Sequence, residues 1–119
     1  MSRILAVDDE ADQRDLLRRI FERAGNEVSE ANDGAAALKV VRESPVDLVV
    51  TDMMMPVMSG PELIRRLRCD PSTAHIPILA VSRDTELAGA ADAIIGKPYR
   101  KEDLVAAAET LLREGRIRR

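Results

Sequence analysis

The sequence predicts an α/β domain in which helices cover both faces of a five-stranded parallel sheet. Short apolar segments that end in polar residues alternate with longer segments whose apolar residues recur at helical spacing. The run Leu48–Val50 is entirely apolar, which is typical of a strand buried on both faces of a parallel sheet. This alternation implies right-handed crossovers and, for five strands, favours the order 2-1-3-4-5.

The first strand and helix are defined by a change in hydrophobic period. Residues 3–7 form a short apolar run, and residues 11–24 predict an amphipathic helix that Gly25 ends. The buried face of this helix is expected to comprise Leu16, Leu17, Ile20, Phe21 and Ala24.

The remaining elements follow in the same alternation. Residues 27–31 are half polar, which suits a strand at the edge of the sheet, and the turn at 32–34 leads into a helix that Pro45 ends. Ser59 is expected to cap the third helix, whose first turn contains Pro61. Further strands are expected at 46–52, 76–82 and 92–96, and a final helix at 102–112.

The length and composition limit the class of protein. The 119 residues suffice for one domain, residues 1–119, with its own core. The single cysteine excludes an internal disulfide and a multi-cysteine metal site. The net charge of −3 indicates no nucleic-acid surface, and no apolar run is long enough to span a membrane. We expect a cytoplasmic protein that is a monomer or a weak dimer.

Four of the predicted strands end in polar residues that suit phosphate chemistry. Asp8 and Asp9 follow strand 1, Asp52 ends strand 3, Ser82 ends strand 4 and Lys97 follows strand 5. The carboxyl ends of parallel strands meet at one edge of the sheet, and strands 1 and 3 flank the switch point of this strand order. The three carboxylates are therefore expected to share one crevice.

A cluster of three carboxylates needs a counter-charge. Oxygen donors without a nearby His or Cys favour Mg²⁺ (or Mn²⁺), and the main-chain carbonyl of Met54 is a further candidate ligand. A carboxylate beside such an ion can attack a phosphoryl group and form an acyl phosphate, so Asp52 is the candidate nucleophile. Lys97 would pair with one phosphoryl oxygen and Ser82 would hydrogen-bond to another.

The motifs that carry these residues resemble the receiver domain of two-component response regulators, of the chemotaxis-type single-domain kind. The resemblance covers nearly the whole chain. It rests on Val7-Asp-Asp-Glu10, Thr51-Asp-Met-Met-Met-Pro-Val-Met-Ser-Gly60, Ser82 after Ile78–Val81, and Gly96-Lys-Pro-Tyr99. It implies a flavodoxin-like fold and a domain that accepts phosphate from a histidine kinase or a histidine phosphotransfer protein.

The resemblance also implies a role for each site residue. Asp52 is the phosphoacceptor, Asp9 binds Mg²⁺ directly, Asp8 assists through water, and Met54 offers its carbonyl. Ser82 acts as the switch hydroxyl, and Lys97 binds the phosphoryl group and is joined to Pro98 by a cis peptide bond. The implied protein is a signalling phosphoacceptor rather than an enzyme, and it signals by protein contact or by passing the phosphoryl group onward.

Two departures from the family pattern concern the usual signalling face. Ser82 and Lys97 are fifteen positions apart, closer than is usual in the family, so the fourth helix of the family is expected to be shortened or missing. Ile94 occupies the position where the family tends to have Tyr or Phe, and an aliphatic side chain has no polar tip with which to repeat the movement of that aromatic residue. Both departures weigh against conventional signalling through that face.

Two other functions compete with this prediction. The first is a receiver-like interaction module that no longer depends on phosphate, which the two departures favour and the intact acidic residues oppose. The second is a phosphohydrolase whose nucleophile follows strand 1. Haloacid-dehalogenase-like phosphatases need Asp-x-Asp at that position, and Asp8-Asp9-Glu10 has the wrong spacing.

Overall fold

A parallel sheet with the strand order β2-β1-β3-β4-β5 forms the centre of the molecule in the computed structural model, which describes residues 1–84 and 89–115. The strands are β1 (Arg3–Val7), β2 (Glu27–Ala31), β3 (Leu48–Asp52), β4 (Ile78–Ser82) and β5 (Ala93–Gly96). The helices are α1 (Ala11–Arg23), α2 (Gly34–Glu43), α3 (Gly60–Cys69) and α4 (Lys101–Glu114). The predicted fold class and strand order are confirmed. No helix among the described residues is long and apolar enough to cross a membrane.

The core lies on both faces of the sheet. Alternate residues of each central strand point to opposite faces, so Leu5 packs with α2 and α3, whereas Ile4 packs with α1 and α4. β3 and β4 are buried along their whole length, as the sequence predicts for central strands. β2 buries only Ala31 fully, which agrees with its position at the edge.

The register of the sheet aligns the carboxyl ends of the strands. Val7 lies opposite Thr51, so the residue after β1 and the last residue of β3 emerge side by side. Asp52 lies opposite Val81, and Ser82 lies opposite Gly96. Four strand ends therefore converge on one edge of the sheet.

The prediction that the fourth helix of the family, between β4 and β5, is shortened or missing is confirmed. The described residues of this connection, 83, 84 and 89–92, contain no helix, and α4 is the helix that follows β5. The sequence leaves room for a helix of at most one or two turns over 83–91, and the central residues of this segment, 85–88, lie outside the described residues. We call residues 83–92 the β4–β5 connection.

An internal ion pair joins the last residue of this connection to α3. Arg68 from α3 pairs with Asp92, whose side chain is only 4% exposed. Asp92 Oδ2 also accepts a hydrogen bond of 2.8 Å from the amide of Ile78. Arg68 donates to the carbonyls of Ala74, at 3.2 Å, and Ile76, at 2.7 Å. One arginine thus ties α3 to the chain on both sides of β4.

The sequence prediction for the buried face of α1 was wrong at two residues, Leu16 and Ala24, of which Ala24 is exposed at the end of the helix. Leu17 and Phe21 are buried, but Leu16 is 43% exposed and lines a cleft above the carboxyl edge of the sheet. Its helical spacing placed it near the apolar stripe, and spacing alone does not distinguish the core from the rim of a cleft.

Candidate metal and phosphoacceptor site

Asp8 is fixed by hydrogen bonds on both sides of its backbone and at its carboxylate. Its amide donates to the carbonyl of Ala31 at 3.2 Å, and its carbonyl accepts from Arg14 Nη1 at 2.9 Å. Its Oδ1 accepts from the amide of Glu10 at 2.9 Å as the chain turns into α1. The side chain is therefore held at the end of β1 with only 1% of its surface exposed.

Asp52 ends β3 and opens toward the same edge. The residue is 8% exposed, and its Oδ1 accepts a hydrogen bond of 2.8 Å from the amide of Met53. The loop after β3 then folds back, because the amide of Gly60 donates to the carbonyl of Met53 at 3.0 Å. A Cβ atom on Gly60 would lie 2.5 Å from the carbonyl oxygen of Asp52, so this approach requires glycine.

The loop between β3 and α3 contains a strained residue and a capped helix start. Val57 has a φ of 68°, which is unfavourable for a β-branched residue. Ser59 accepts a hydrogen bond of 3.3 Å from the amide of Glu62, as predicted for the cap of α3. Met54, whose carbonyl is the candidate ligand, is 62% exposed at the rim of the cleft.

The three predicted carboxylates meet at this edge. Asp8, Asp9 and Asp52 each offer an oxygen atom, and these atoms all lie within 4.8 Å of one another. Asp9 is exposed, whereas the other two carboxylates are buried. The cluster thus has an open side toward solvent.

Burial dominates the electrostatics of Asp8. Burial raises the pKa of Asp8 above its ordinary value of 3.8, and the charge of Asp52 raises it further. The hydrogen bond from the Glu10 amide and the charge of Lys97 lower the pKa, but they do not cancel the effect of burial. Burial, more than the neighbouring carboxylate, therefore makes ionisation of Asp8 unfavourable in the absence of a bound cation.

Lys97 lies between the two buried carboxylates. Its Nζ is 3.5 Å from Asp8 Oδ2 and 3.8 Å from Asp52 Oδ1, both longer than a close ion pair. The amide of Lys97 donates to the carbonyl of Ser82 at 3.0 Å, which extends the sheet by one residue pair. The peptide bond from Lys97 to Pro98 is cis, as the resemblance implied.

Ser82 is fully buried at the end of β4 and lines the cleft. Its Oγ accepts a hydrogen bond of 3.2 Å from the amide of Asp84. The hydroxyl is thus used as an acceptor, and its proton remains to be donated to a group in the cleft.

The cleft above these residues has a volume of about 480 Å³. Its walls come from the start of α1, the loop after β3 and the ends of β4 and β5. They comprise Glu10, Gln13, Leu16, Asp52, Met54, Ser82, Arg83, Lys97, Pro98 and Tyr99.

The donor set fits a hard divalent cation. All three clustered side chains offer carboxylate oxygens, which Mg²⁺ prefers, and one of them faces solvent. The two long contacts of Lys97 show that its amine does not fully neutralise the buried pair. The structure brings together every side chain that the sequence predicted for this site.

Comparison with known proteins agrees with this geometry. The model of the response regulator receiver domain family matches residues 4–109. The chain belongs to this family. The family is that of the receiver domains of two-component signalling, so the resemblance stated from the motifs is confirmed.

Relatives of this receiver domain include transcriptional regulators and chemotaxis proteins. The phosphate regulon transcriptional regulatory protein PhoB of Pseudomonas aeruginosa is 38% identical over 117 residues, which cover 92% of this chain and 51% of PhoB. Chemotaxis response regulator CheY4 of Vibrio cholerae has a TM-score of 0.87 and 30% identity, with 93% of this chain and 98% of CheY4 covered. The chain spans about half the length of the curated relatives it matches.

One of the similar solved structures is a complex with Mg²⁺-BeF. Response regulator protein TrrA of Thermotoga maritima, in complex with Mg²⁺-BeF, has a TM-score of 0.86 and 30% identity. The alignment covers 93% of this chain and 99% of TrrA.

The face that departs from the family pattern is exposed in this receiver domain. Ile94 on β5 is 40% exposed, although it lies in a strand whose neighbours Ala93 and Ile95 are partly buried against the core. The edge strand therefore presents an aliphatic side chain where the family tends to have an aromatic one.

Sequence reasoning missed two polar groups. Arg68 and Asp92 were not singled out, because an ion pair between residues 24 positions apart has no local sequence signal. Tyr99 has no predicted role beyond its place at the end of the Gly96-Lys-Pro-Tyr99 motif. Its hydroxyl is buried and has no hydrogen-bond partner among the residues that the structure describes.

Proposed function

We propose that this receiver domain accepts one phosphoryl group on Asp52 in a Mg²⁺-dependent reaction, from a histidine kinase or a histidine phosphotransfer protein. The observation that carries the proposal is the placement of a buried nucleophile, two more carboxylates and a lysine at one edge of the sheet. The solved relative TrrA, complexed with Mg²⁺-BeF, supports an assignment of the same kind of ligand to this cleft.

The proposed chemistry is a direct transfer between two nucleophiles. A carboxylate oxygen of Asp52 attacks the phosphorus of a phosphohistidine, the P–N bond breaks, and its electron pair stays on the imidazole nitrogen. The product is an aspartyl phosphate. Asp8, Asp9, Asp52 and the carbonyl of Met54 would hold Mg²⁺, which supplies positive charge beside the transferred oxygens.

Two side chains on the other strands serve the phosphoryl group. Lys97 exchanges its long contacts with Asp8 and Asp52 for an ion pair with a phosphoryl oxygen. Ser82 donates the proton of its hydroxyl to a second oxygen, while its Oγ continues to accept from the Asp84 amide. Both contacts form only when the phosphoryl group is present.

The proposed output of the domain takes one of two forms. Phosphorylation changes the affinity for a protein partner, or the phosphoryl group passes onward to another histidine. Because the curated relatives are about twice as long, the assignment of residues 1–119 as a complete single-domain regulator without nucleic-acid contact remains a prediction.

The test is the intact mass of the protein after incubation with acetyl phosphate and Mg²⁺. We expect the addition of one phosphoryl group in the wild type, and no addition for Asp52→Ala or in EDTA. Asp47→Asn is the matched control, because Asp47 is an exposed aspartate at the opposite end of the same strand and should leave the adduct intact.

The other outcomes separate the competing functions. Turnover of a small phosphate ester would favour a phosphohydrolase. If no adduct forms and beryllofluoride also fails to bind, a phosphate-independent interaction module becomes the better account, and the exposed Ile94 would then be part of its contact surface.

A further inference from the structure

Arg83 is a cation of the cleft that the proposed chemistry does not use. It directly follows Ser82 and lines the cleft together with Asp52 and Lys97. Among the described residues of the cleft wall, only Arg83 and Lys97 are cationic. Lys97 contacts the buried carboxylates, whereas Arg83 is exposed and forms no salt bridge with any residue that the structure describes.

The backbone of Arg83 is held on both sides. The carbonyl of Ser82, in the peptide group that leads into Arg83, accepts a hydrogen bond of 3.0 Å from the amide of Lys97. The amide of Asp84, in the peptide group that follows Arg83, donates to Ser82 Oγ at 3.2 Å. The start of the Arg83 side chain is therefore fixed beside the end of β4.

This position brings the guanidinium of Arg83 within reach of Asp52. Asp52 lies opposite Val81 in the sheet, and Arg83 is two positions further along the chain. Neighbouring strands lie about 4.8 Å apart and rise about 3.3 Å per residue, so the Cα atoms of Arg83 and Asp52 are roughly 8 Å apart. An extended arginine side chain spans most of this distance, and a phosphoryl group on Asp52 would shorten the remaining gap.

The charge of a phosphorylated site also requires a second cation. Asp8, Asp9 and a phosphoryl group on Asp52 would together carry about four negative charges near neutral pH, even without the exposed glutamate of the cleft wall. Mg²⁺ and Lys97 would leave about one of these charges unbalanced. A guanidinium presents a planar fork of donors that matches phosphate oxygens, and no described carboxylate pairs with that of Arg83.

We propose that Arg83 is a second phosphate-binding residue of this cleft, whose guanidinium pairs with a phosphoryl oxygen on Asp52 from the solvent side. The inference rests on the proposed function, because it needs a phosphoryl group at Asp52. It adds a contact beyond those of Lys97 and Ser82. Arg83 does not bind the metal, because the two positive charges repel each other. Since Arg83 is the first residue of the β4–β5 connection, the contact also ties this connection to the phosphorylated state.

The test measures the affinity for beryllofluoride, an analogue of the phosphoryl group, at saturating Mg²⁺ by fluorine NMR. We expect Arg83→Ala to raise the Kd by roughly three- to tenfold, the effect of one charge-assisted hydrogen bond at a partly exposed site. Arg83→Lys should raise it less, because it keeps the charge and loses the planar fork.

Arg100→Ala is the matched control. Arg100 is an exposed arginine three positions after Lys97, and it is not among the residues that line the cleft. Its removal lowers the net positive charge near the site by the same amount as Arg83→Ala does. We expect the Kd for beryllofluoride to change by less than about twofold in Arg100→Ala, because exposed charges that make no direct contact are screened by salt.

Mg²⁺ affinity without the analogue separates a phosphate ligand from a residue that shapes the metal site. Arg83→Ala removes a positive charge near the cation, so it should bind Mg²⁺ at least as tightly as the wild type does. Asp9→Asn should weaken Mg²⁺ binding. In urea without metal, Arg83→Ala should be as stable as the wild type, because the lost side chain has no ion-pair partner among the described residues.

The outcomes distinguish this inference from the function on which it rests. If Arg83→Ala binds beryllofluoride as tightly as the wild type while Asp52→Ala does not bind it, the role of Arg83 is overturned and the phosphoacceptor stands. Equal losses in Arg83→Ala and Arg100→Ala would also overturn it, because a general loss of charge would then explain both. If the wild type binds no beryllofluoride in Mg²⁺, the proposed function and the inference fail together.

Discussion

The two halves of the site are built differently. The acid half, at the ends of β1 and β3, is followed directly by loops that lead into α1 and α3. The carboxylates of Asp8 and Asp52 accept hydrogen bonds from backbone amides. The lysine half, at the ends of β4 and β5, is joined by the β4–β5 connection, whose described residues contain no helix. The side chains of both halves nevertheless lie at one edge of the sheet, because the sheet register sets the position of each strand end.

This difference shows which site residues of a receiver domain keep their positions when a connecting segment changes. Asp52, Ser82 and Lys97 sit on or beside strands, so their positions survive a change in the segment between β4 and β5. The connection beside β5 has no helix among its described residues, and Ile94 is exposed on this side of the sheet. The carboxyl-edge site and the surface beside β5 are therefore structurally separable in this fold.

The largest expected effect concerns the ion pair that holds the lysine half against α3. Arg68→Ala removes the guanidinium that pairs with the buried carboxylate of Asp92 and donates to the carbonyls of Ala74 and Ile76. Removing one partner of a buried pair is strongly destabilising, so we expect a loss of about 3 kcal/mol in the free energy of unfolding. Urea denaturation in the absence of metal measures the change.

The control for this prediction is another arginine of α3. Arg66 pairs with Glu62 on the exposed surface, at 2.8 Å, and such pairs contribute little, so Arg66→Ala should hardly change the urea midpoint. Equal losses for Arg66→Ala and Arg68→Ala would show that the lysine half does not depend on the buried pair.

A second prediction concerns charge in the acid half. Asp8→Asn removes a buried charge that is only partly neutralised, so without metal the variant should be more stable than wild type near neutral pH, by a margin smaller than the loss in Arg68→Ala. With Mg²⁺ the order should reverse, because metal binding stabilises the wild type and not the variant. Thermal unfolding in EDTA and in Mg²⁺, with Asp47→Asn as an exposed control, measures both effects.

The pH dependence of this gain has a definite sign. The pKa of Asp8 is raised in the folded state, so folding favours the protonated carboxyl and ionisation reduces stability. The penalty is absent below the ordinary value of 3.8, grows as pH rises from there through the folded-state pKa, and is complete above it. A gain for Asp8→Asn that is the same at all pH values would rule out the charge as its cause.

The sequence predicted the groups that lie on strands better than those that depend on distant contacts. Asp8, Asp52 and Lys97 each follow an apolar run, and parallel topology then brings them to one edge. The pairing of Arg68 with Asp92 depends on how α3 packs against a connection of unusual length, and no local pattern encodes that contact.

Helical periodicity also failed to predict which apolar side chains of α1 are exposed. Leu16 shares the helical spacing of the buried residues of α1 but lines the cleft and is 43% exposed. Periodicity could not predict the unpartnered hydroxyl of Tyr99 either, because the surroundings of this residue come from segments that are distant in sequence. The positive φ of Val57 likewise follows from the return of the loop to Gly60.

The smallest expected effect tests the strain in the acid half. A left-handed backbone costs an L-residue about 1–2 kcal/mol, whereas glycine loses about 0.4–1 kcal/mol through the freedom of its unfolded chain. Val57, with a φ of 68° and 85% exposure, should therefore gain about 0.5–1 kcal/mol of stability when changed to glycine. Gly25→Ala is the reciprocal control, because Gly25 has a φ of 95° and open space around it, and this change should destabilise by a similar amount.

The affinity of Val57→Gly for Mg²⁺ then decides what the strain does. An unchanged affinity, with the expected gain in urea midpoint, would mean that the acid half tolerates strain in a loop that its chemistry does not need. A weaker affinity would mean that the stiff, strained valine helps to hold the carbonyl of Met54 where the cation requires it. A loss of stability would contradict the left-handed conformation itself, since glycine adopts it at no steric cost.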